Sequence, residues 1–172
     1  MSNTFAAGQA ECLIFTLKDG VMQRLAHDIK LRVGKFSIVV EGEQAVRASF
    51  DASSVATVCY RKDGADDPSA SDSDKATIDQ IVHKEILEVA KHPEITFASS
   101  KITKTDAGYT IDGTVTIKGK SKALVVAVKR EGAKLVGETS FDQRDFDIKP
   151  YSAMLGTLRI QPHLKVRVEV PA

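Results

Sequence analysis

A chain of 172 residues with 24 lysines and arginines against 23 acids carries a formal net charge of +1, which argues against the clustered positive surface that nucleic-acid binding needs. Hydrophobic residues are 42% and charged residues 27% of the total, an ordinary globular balance with material for a substantial core. No apolar run approaches the roughly 20 residues of a membrane-spanning helix.

The first fifteen residues, MSNTFAAGQAECLIF, lack a basic segment followed by an apolar one, so no secretory leader is visible. The expected compartment is cytoplasmic, or periplasmic if a leader has been removed. Cys12 and Cys59, with no CxxC pair, are expected to be reduced and to act as small hydrophobes.

The first expected strand is CLIFTLK, closing at the turn pair Asp19-Gly20. GVMQRLA follows, as a turn of helix or an irregular link. In HDIKLRVGKFSIVVE, Ile29, Leu31 and Val33 are apolar at odd positions, but Phe36, Ile38 and Val40 at even ones. A parity change across Gly34 predicts one long, strongly bent strand with a β-bulge. EGEQ then turns the chain into AVRASFDA, where Val46, Ala48 and Phe50 share a face, as in a hairpin. After VATVCY, the acidic stretch RKDGADDPSASDSD reads as an exposed loop.

Ser71 and Asp74 stand at the S-x-x-D spacing that begins helices. Ile78, Ile81, Val82, Ile86 and Val89 recur at three- and four-residue steps, predicting an amphipathic helix that ends near Lys91, before His92-Pro93. Strands are then expected at EITFASSKI, YTIDGTVTIKG, KALVVAVKRE and KLVGETSFDQRDFDI. A link with Lys149-Pro150-Tyr151 leads to TLRIQPHLKVRVEV, apolar at even numbers from Leu158 to Val170 and mostly charged at odd ones. One stripe meets water; the other needs an interior.

Short turns join antiparallel neighbours. The expected architecture is therefore all-β: a lipocalin-like, up-and-down antiparallel barrel of about eight long strands with one inserted helix, in one domain spanning residues 1–172. His27, His83, His92 and His163 form no compact metal-ligand motif, and the acidic loop fails the calcium-loop pattern. Phosphate-binding glycine loops and a nucleophile elbow are absent. Neither a cofactor nor a metal is expected.

Four segments, in order, resemble the YceI-like family of bacterial lipid-binding proteins: HDIKLRVGKFSIVVEGE, IVHKEILEVAKHPEITFASSKI, YTIDGTVTIKGKSKALVVAV and FDQRDFDI. They extend the likeness over roughly residues 10 to 170. One turn departs from the family's pattern: Lys118-Gly119-Lys120-Ser121-Lys122 is basic where a His-Gly-Val is common, so no role of that histidine carries over. The resemblance implies a barrel enclosing a polyisoprenoid, an isoprenoid quinone or another long apolar lipid, held for binding, storage or transport without catalysis. It names a lipid as the partner, with no nucleic acid and no transmembrane segment; a homodimer is compatible with it.

For such a ligand the expected lining is Phe36, Val46, Ala48, Phe50, Ile81, Phe97, Ile111, Val115, Phe141, Phe146, Leu158 and Ile160, with Ala48 and Gly113 leaving room. Arg61, Lys62, Arg144 and Tyr151 are candidate contacts for a head group at the mouth, and the stretch from Lys62 to Ser73 with its helix a candidate lid. Two alternatives stand beside this reading. One is an enzyme acting on an apolar substrate, with His27, Asp28 or Cys59 as its reactive groups. The other is a structural or interaction domain whose solid core brings Phe50, Phe97 and Phe141 together at the axis.

Overall fold

The computed structural model describes residues 1–19, 27–153 and 158–172. The expected link at 20–26 and the first residue of the last expected strand, 157, lie outside them. Fifteen strands are formed among the described residues: β1 (Ser2–Ala6), β2 (Glu11–Thr16), β3 (Lys18–Asp19), β4 (Asp28–Val33), β5 (Phe36–Glu41), β6 (Ala45–Asp51), β7 (Val55–Lys62), β8 (Ala65–Asp67), β9 (Glu94–Lys104), β10 (Gly108–Ile117), β11 (Lys120–Glu131), β12 (Lys134–Asp142), β13 (Ser152–Ala153), β14 (Leu158–Ile160) and β15 (His163–Pro171). Twelve of them make one sheet in the order β1-β5-β6-β9-β10-β11-β12-β15-β2-β4-β7-β8, and β13-β14-β3 make a small second one. The large sheet curls into an antiparallel half-barrel. Its run from β9 to β12 is up-and-down, as the short turns require.

The expected bent strand is two strands that meet at a corner. β4 pairs with β2 and β7, whereas β5 pairs with β1 and β6. The opposite arm bends at the same level, through a 3-10 turn at Ala52–Ser54. Gly34 N donates to Ser54 O at 3.0 Å, and Asp51 N to Lys35 O at 2.9 Å, across the corner. A Cβ at Gly34 would lie 3.3 Å from Ser54 O, so glycine lets the arms approach. One ribbon thus joins β5 and β6 at one end of the sheet order to β4 and β7 at the other. The parity change keeps both apolar stripes on the inside: Leu31, Val33, Phe36 and Ile38 are all buried in one cluster.

A bulge at Ser100 shifts the β9–β10 register between Asp112 and Gly113. It carries Ile95 and Phe97 and then Ile102 onto one face.

The helix begins as its sequence predicts. Ser71 Oγ accepts from Asp74 N, and the Asp74 carboxylate accepts from Ser71 N, closing a capping box. The helix α1 (Asp72–Ile81) is shorter than expected: it passes into a π-helical turn at Val82–Ile86, and Glu88 adopts a left-handed φ of 47°. Its end is therefore at Ile86 rather than near Lys91.

Three further expectations are corrected. The acidic loop begins as a hairpin: Asp63 and Gly64, both with positive φ, turn β7 into β8. The segment after β12 leaves the sheet at Asp142 and forms a 3-10 turn at Gln143–Phe146. The last strand is broken at Gln161-Pro162, so that β14 joins β3 and β13 while β15 stays in the large sheet. No helix among the described residues is long and apolar enough to cross a membrane.

Candidate functional site

Inside the curl lie two apolar cavities, of about 460 Å³ and 270 Å³. Three stretches carry one inward face from the larger to the smaller. On β15, Val170, Val168 and Val166 line the larger and Leu164 the smaller. On β2, Cys12 faces the larger, Ile14 both, and Thr16 the smaller. On β4, Val33 faces the larger, and Leu31 and Ile29 the smaller. Side chains two apart on one strand share a face at successive depths. The two cavities therefore follow one another along one inward face, over about 20 Å from Val170 to Leu164 at ~3.3 Å per residue.

Helix α1 and its π turn roof the smaller segment, through Ile78, Ile81, Val82 and Ile86. Two polar ties fasten this roof to β7. Asp79 Oδ1 accepts from both the backbone N–H and the hydroxyl of Thr57, and the His83 Nε2 lies 2.7 Å from Val55 O.

Of the expected lining residues, Val46, Ala48, Phe50, Phe97, Ile111, Val115 and Phe141 border the larger cavity, and Ile81 and Ile160 the smaller. Phe36 and Phe146 do not. Phe36 is buried in the sheet core, its ring 5.9 Å from Phe50. Phe146, only 1% exposed, is edge-on to Phe141 at 5.3 Å, because the 3-10 turn folds it against the end of β10. The side chain of Leu158 lies outside the described residues. Gly113 leaves no room: a Cβ there would fall 2.4 Å from Phe97 Cζ and 2.6 Å from Ala98 O. The Phe97 ring occupies the space that the sequence assigns to a guest. Phe50, Phe97 and Phe141 border the cavity instead of filling its axis.

Sequence reasoning passed over Cys12, Ile38, Ile102, Leu124, Val126 and Val128, which also border the larger cavity. The alternation of Leu124, Val126 and Val128 was present but hidden inside the continuous apolar run. Its outward member, Val125, is 53% exposed.

Polar groups are distributed unequally. In the larger cavity Tyr109 donates its hydroxyl to Glu43 Oε1 at 3.0 Å, and Thr139 donates to Val125 O at 2.8 Å. The smaller is bordered by Thr16, His27, Tyr60, Gln143, Tyr151 and Arg159. His27 stacks on Tyr60 with ring centroids 3.9 Å apart, and burial, followed by the nearby Asp74 carboxylate, raises the Tyr60 phenol above its ordinary range.

Among the expected mouth residues only Tyr151 borders a cavity. Arg61 is held by Asp66 and Gly64 O and lies over the Phe15 ring. Arg144 is held by Asp142, whose carboxyl it keeps down at about 2. Lys62 is exposed on β7.

Of the reactive groups considered for an enzyme, His27 borders the smaller cavity, while Asp28 and Cys59 border neither cavity. Asp28 Oδ1 accepts from Lys18 N at 2.7 Å, Cys59 is buried, and His27 is stacked. On the cavity wall, burial and then Glu11 push the Cys12 thiol up to about 12, which keeps it protonated and unreactive near neutrality. Among the described residues no group of three His, Cys, Asp or Glu side chains is placed to hold a metal ion.

A curled antiparallel sheet around an apolar interior, roofed by one helix, defines a lipocalin-like fold. The family model of the YceI-like domain matches residues 14–172, and the chain belongs to that family. Among solved structures it is similar to Burkholderia cenocepacia BcnA, with 20% identity over 96% of this chain and 97% of that one and a TM-score of 0.65. A polyisoprenoid-binding domain from Saccharophagus degradans is 11% identical over 99% and 98%, with a TM-score of 0.60. The YCEI protein of Campylobacter jejuni is 17% identical over 83% and 84%, with a TM-score of 0.53. At these identities the likeness is one of fold. A search of curated proteins finds no match.

Proposed function

We propose that the chain binds a long apolar lipid of isoprenoid type within the bore and stores or carries it without chemical change. The observation that carries this reading is the succession of the two apolar cavities along the inward faces of β2, β4 and β15. Volumes of about 460 and 270 Å³ suit an elongated guest, since ligand cavities usually span roughly 300–1,000 Å³. A buried methylene contributes about 0.8 kcal/mol, so each five-carbon unit adds about 3–4 kcal/mol before the costs of association. A few units suffice with no ion pair. Family membership and the likeness to a domain described as polyisoprenoid-binding point the same way. The protonated Cys12 thiol on the wall supports carriage over covalent chemistry.

Solvent extraction of the purified protein followed by mass spectrometry tests this, with a titration of prenyl alcohols into the extracted protein. A stoichiometric apolar compound, or saturable binding of the alcohols, is expected. Protein that yields no lipid and binds none of the alcohols contradicts the reading.

A further inference from the structure

Lysines crowd the turn that departs from the family's pattern. Ile117 and Lys120 close a two-residue hairpin with Lys118 and Gly119 both at positive φ, so the tip of β10 and β11 is tight. Lys120 and Lys122 share one face of β11 with Leu124, Val126 and Val128. Those three apolar residues border the larger cavity. Two ammonium groups thus continue an inward apolar stripe past the end of the cavity, where both are exposed to water.

Two carboxylates meet this tip, both on residues with positive φ. Glu88, just past the π turn, takes Lys118 Nζ at 3.0 Å and Lys91 Nζ at 3.1 Å. Asp147, just past the 3-10 turn, takes Lys120 Nζ at 2.9 Å. The Lys120 ammonium first, then the fields of Lys118 and Lys122, hold the Asp147 carboxyl below its ordinary range. Four lysines therefore face two acids. The exposed groups beside them cancel: Lys84 against Glu85 on the π turn, and Lys149 against Asp145 around Asp147. The outer face of β12 and β15 is different, because Lys134, Lys165 and Arg167 there are matched by Glu131, Glu138 and Glu169.

We propose that the tip of β10 and β11, with Lys91, Lys118, Lys120 and Lys122, docks the protein on an anionic lipid bilayer. The tip offers ammonium groups on flexible stems, which suit the diffuse field of a charged surface better than the fixed oxygens of one phosphate. Such docking depends on surface charge and is independent of what the interior holds. Glu88 follows Leu87, which borders the smaller cavity, so docking brings the roofed end of the interior to the bilayer.

The test mixes the full chain with vesicles of phosphatidylcholine alone or with about one-third phosphatidylglycerol, and reads the bound fraction by sedimentation at low salt. Binding to the anionic vesicles should be about tenfold stronger or more, and should fall as salt rises. A lysine near such a surface contributes about fivefold, so Lys120→Gln and Lys122→Gln together should lose about twentyfold. Lys101→Gln with Lys104→Gln removes the same charge from the far end of β9 and should leave binding within about twofold. Asparagine tolerates the left-handed φ of 57° at position 147. Asp147→Asn should therefore strengthen binding about fivefold, a gain that misfolding does not produce. If the Lys120 and Lys122 variant fails to fold, Asp147→Asn decides.

Lysines also guard open strand edges. Equal binding to the two kinds of vesicle would leave them that role and overturn the docking surface. An equal loss in the Lys101 and Lys104 variant, or no gain in Asp147→Asn, would overturn it too. So would displacement by inorganic phosphate beyond that by chloride at matched ionic strength, which would mark a site for a free anion.

Discussion

Thr57 gives both its backbone N–H and its hydroxyl to a single oxygen, Asp79 Oδ1, each at 2.7 Å. Thr57 is buried on β7 and Asp79 lies in the last turn of α1, so this carboxylate ties the roof to the wall. Asp79→Ala leaves two donors without an acceptor, which costs about 1–3 kcal/mol. Urea unfolding should show that loss, and stopped-flow release of a fluorescent prenyl probe should quicken. Asp79→Asn keeps an acceptor oxygen and should lose less. An alanine variant as stable as the wild type, with unchanged release, would show that the tie holds nothing.

Gly113 and Phe97 form a second dependence. The ring lies where a side chain at 113 would project, and the Ala98 carbonyl is nearly as close. Gly113→Ala should destabilise by about 1–3 kcal/mol through overpacking. Adding Phe97→Leu should recover part of it, since the smaller side chain relieves the ring contact while the carbonyl remains. Denaturant midpoints of the two single variants and the double variant measure the coupling. Strict additivity would disprove the contact.

Asp142 caps the 3-10 turn that presents Gln143 to the smaller cavity, accepting from Arg144 N at 2.9 Å. The Arg144 guanidinium lowers its carboxyl from the ordinary 3.8 to about 2. A depressed folded value means that the ionised form stabilises the fold above the unfolded value, and that this contribution fades as pH falls from about 4 toward 2. Asp142→Asn retains an acceptor for the cap but has no carboxylate to titrate. The stability difference between wild type and variant should therefore shrink across that window, as read from urea midpoints at a series of pH values. A constant difference would refute the assignment.

The Thr16 hydroxyl is a cost to the ligand-free fold. Its hydroxyl is buried and unpartnered among the described residues, so the near-isosteric Thr16→Val should raise the stability of the ligand-free protein by about 1 kcal/mol. Thermal unfolding after lipid extraction is the measurement. A fall in midpoint would mean that the hydroxyl is satisfied in solution.

Much of the lining was readable because alternation in a strand is a local signal. Val46, Ala48 and Phe50, and Tyr109, Ile111, Val115 and Ile117, all border the larger cavity. The start of the helix was equally local, since Ser71 and Asp74 satisfy each other within one turn. What escaped depends on distant partners. β1 has only Phe5 packed on the core and owes its strand form to β5. The Asp63-Gly64 hairpin ends in β8, an edge strand with polar residues on both faces and thus no apolar alternation. Phe36 and Phe146 looked like Phe97 in sequence, but the corner at Gly34 and the 3-10 turn after Asp142 aim them into packed clusters. Arg159 kept the odd parity of the outer stripe, and the break at Gln161-Pro162 moved it to the rim.

The bore itself is best tested by measuring dissociation constants for a series of prenyl alcohols of increasing length on lipid-free protein. If the two cavities are successive segments of one tunnel, affinity should rise by tenfold or more with each added five-carbon unit. It should then level off once the space between Val170 and Leu164 is full. Affinity that is flat from the shortest alcohol onward would contradict a continuous apolar tunnel.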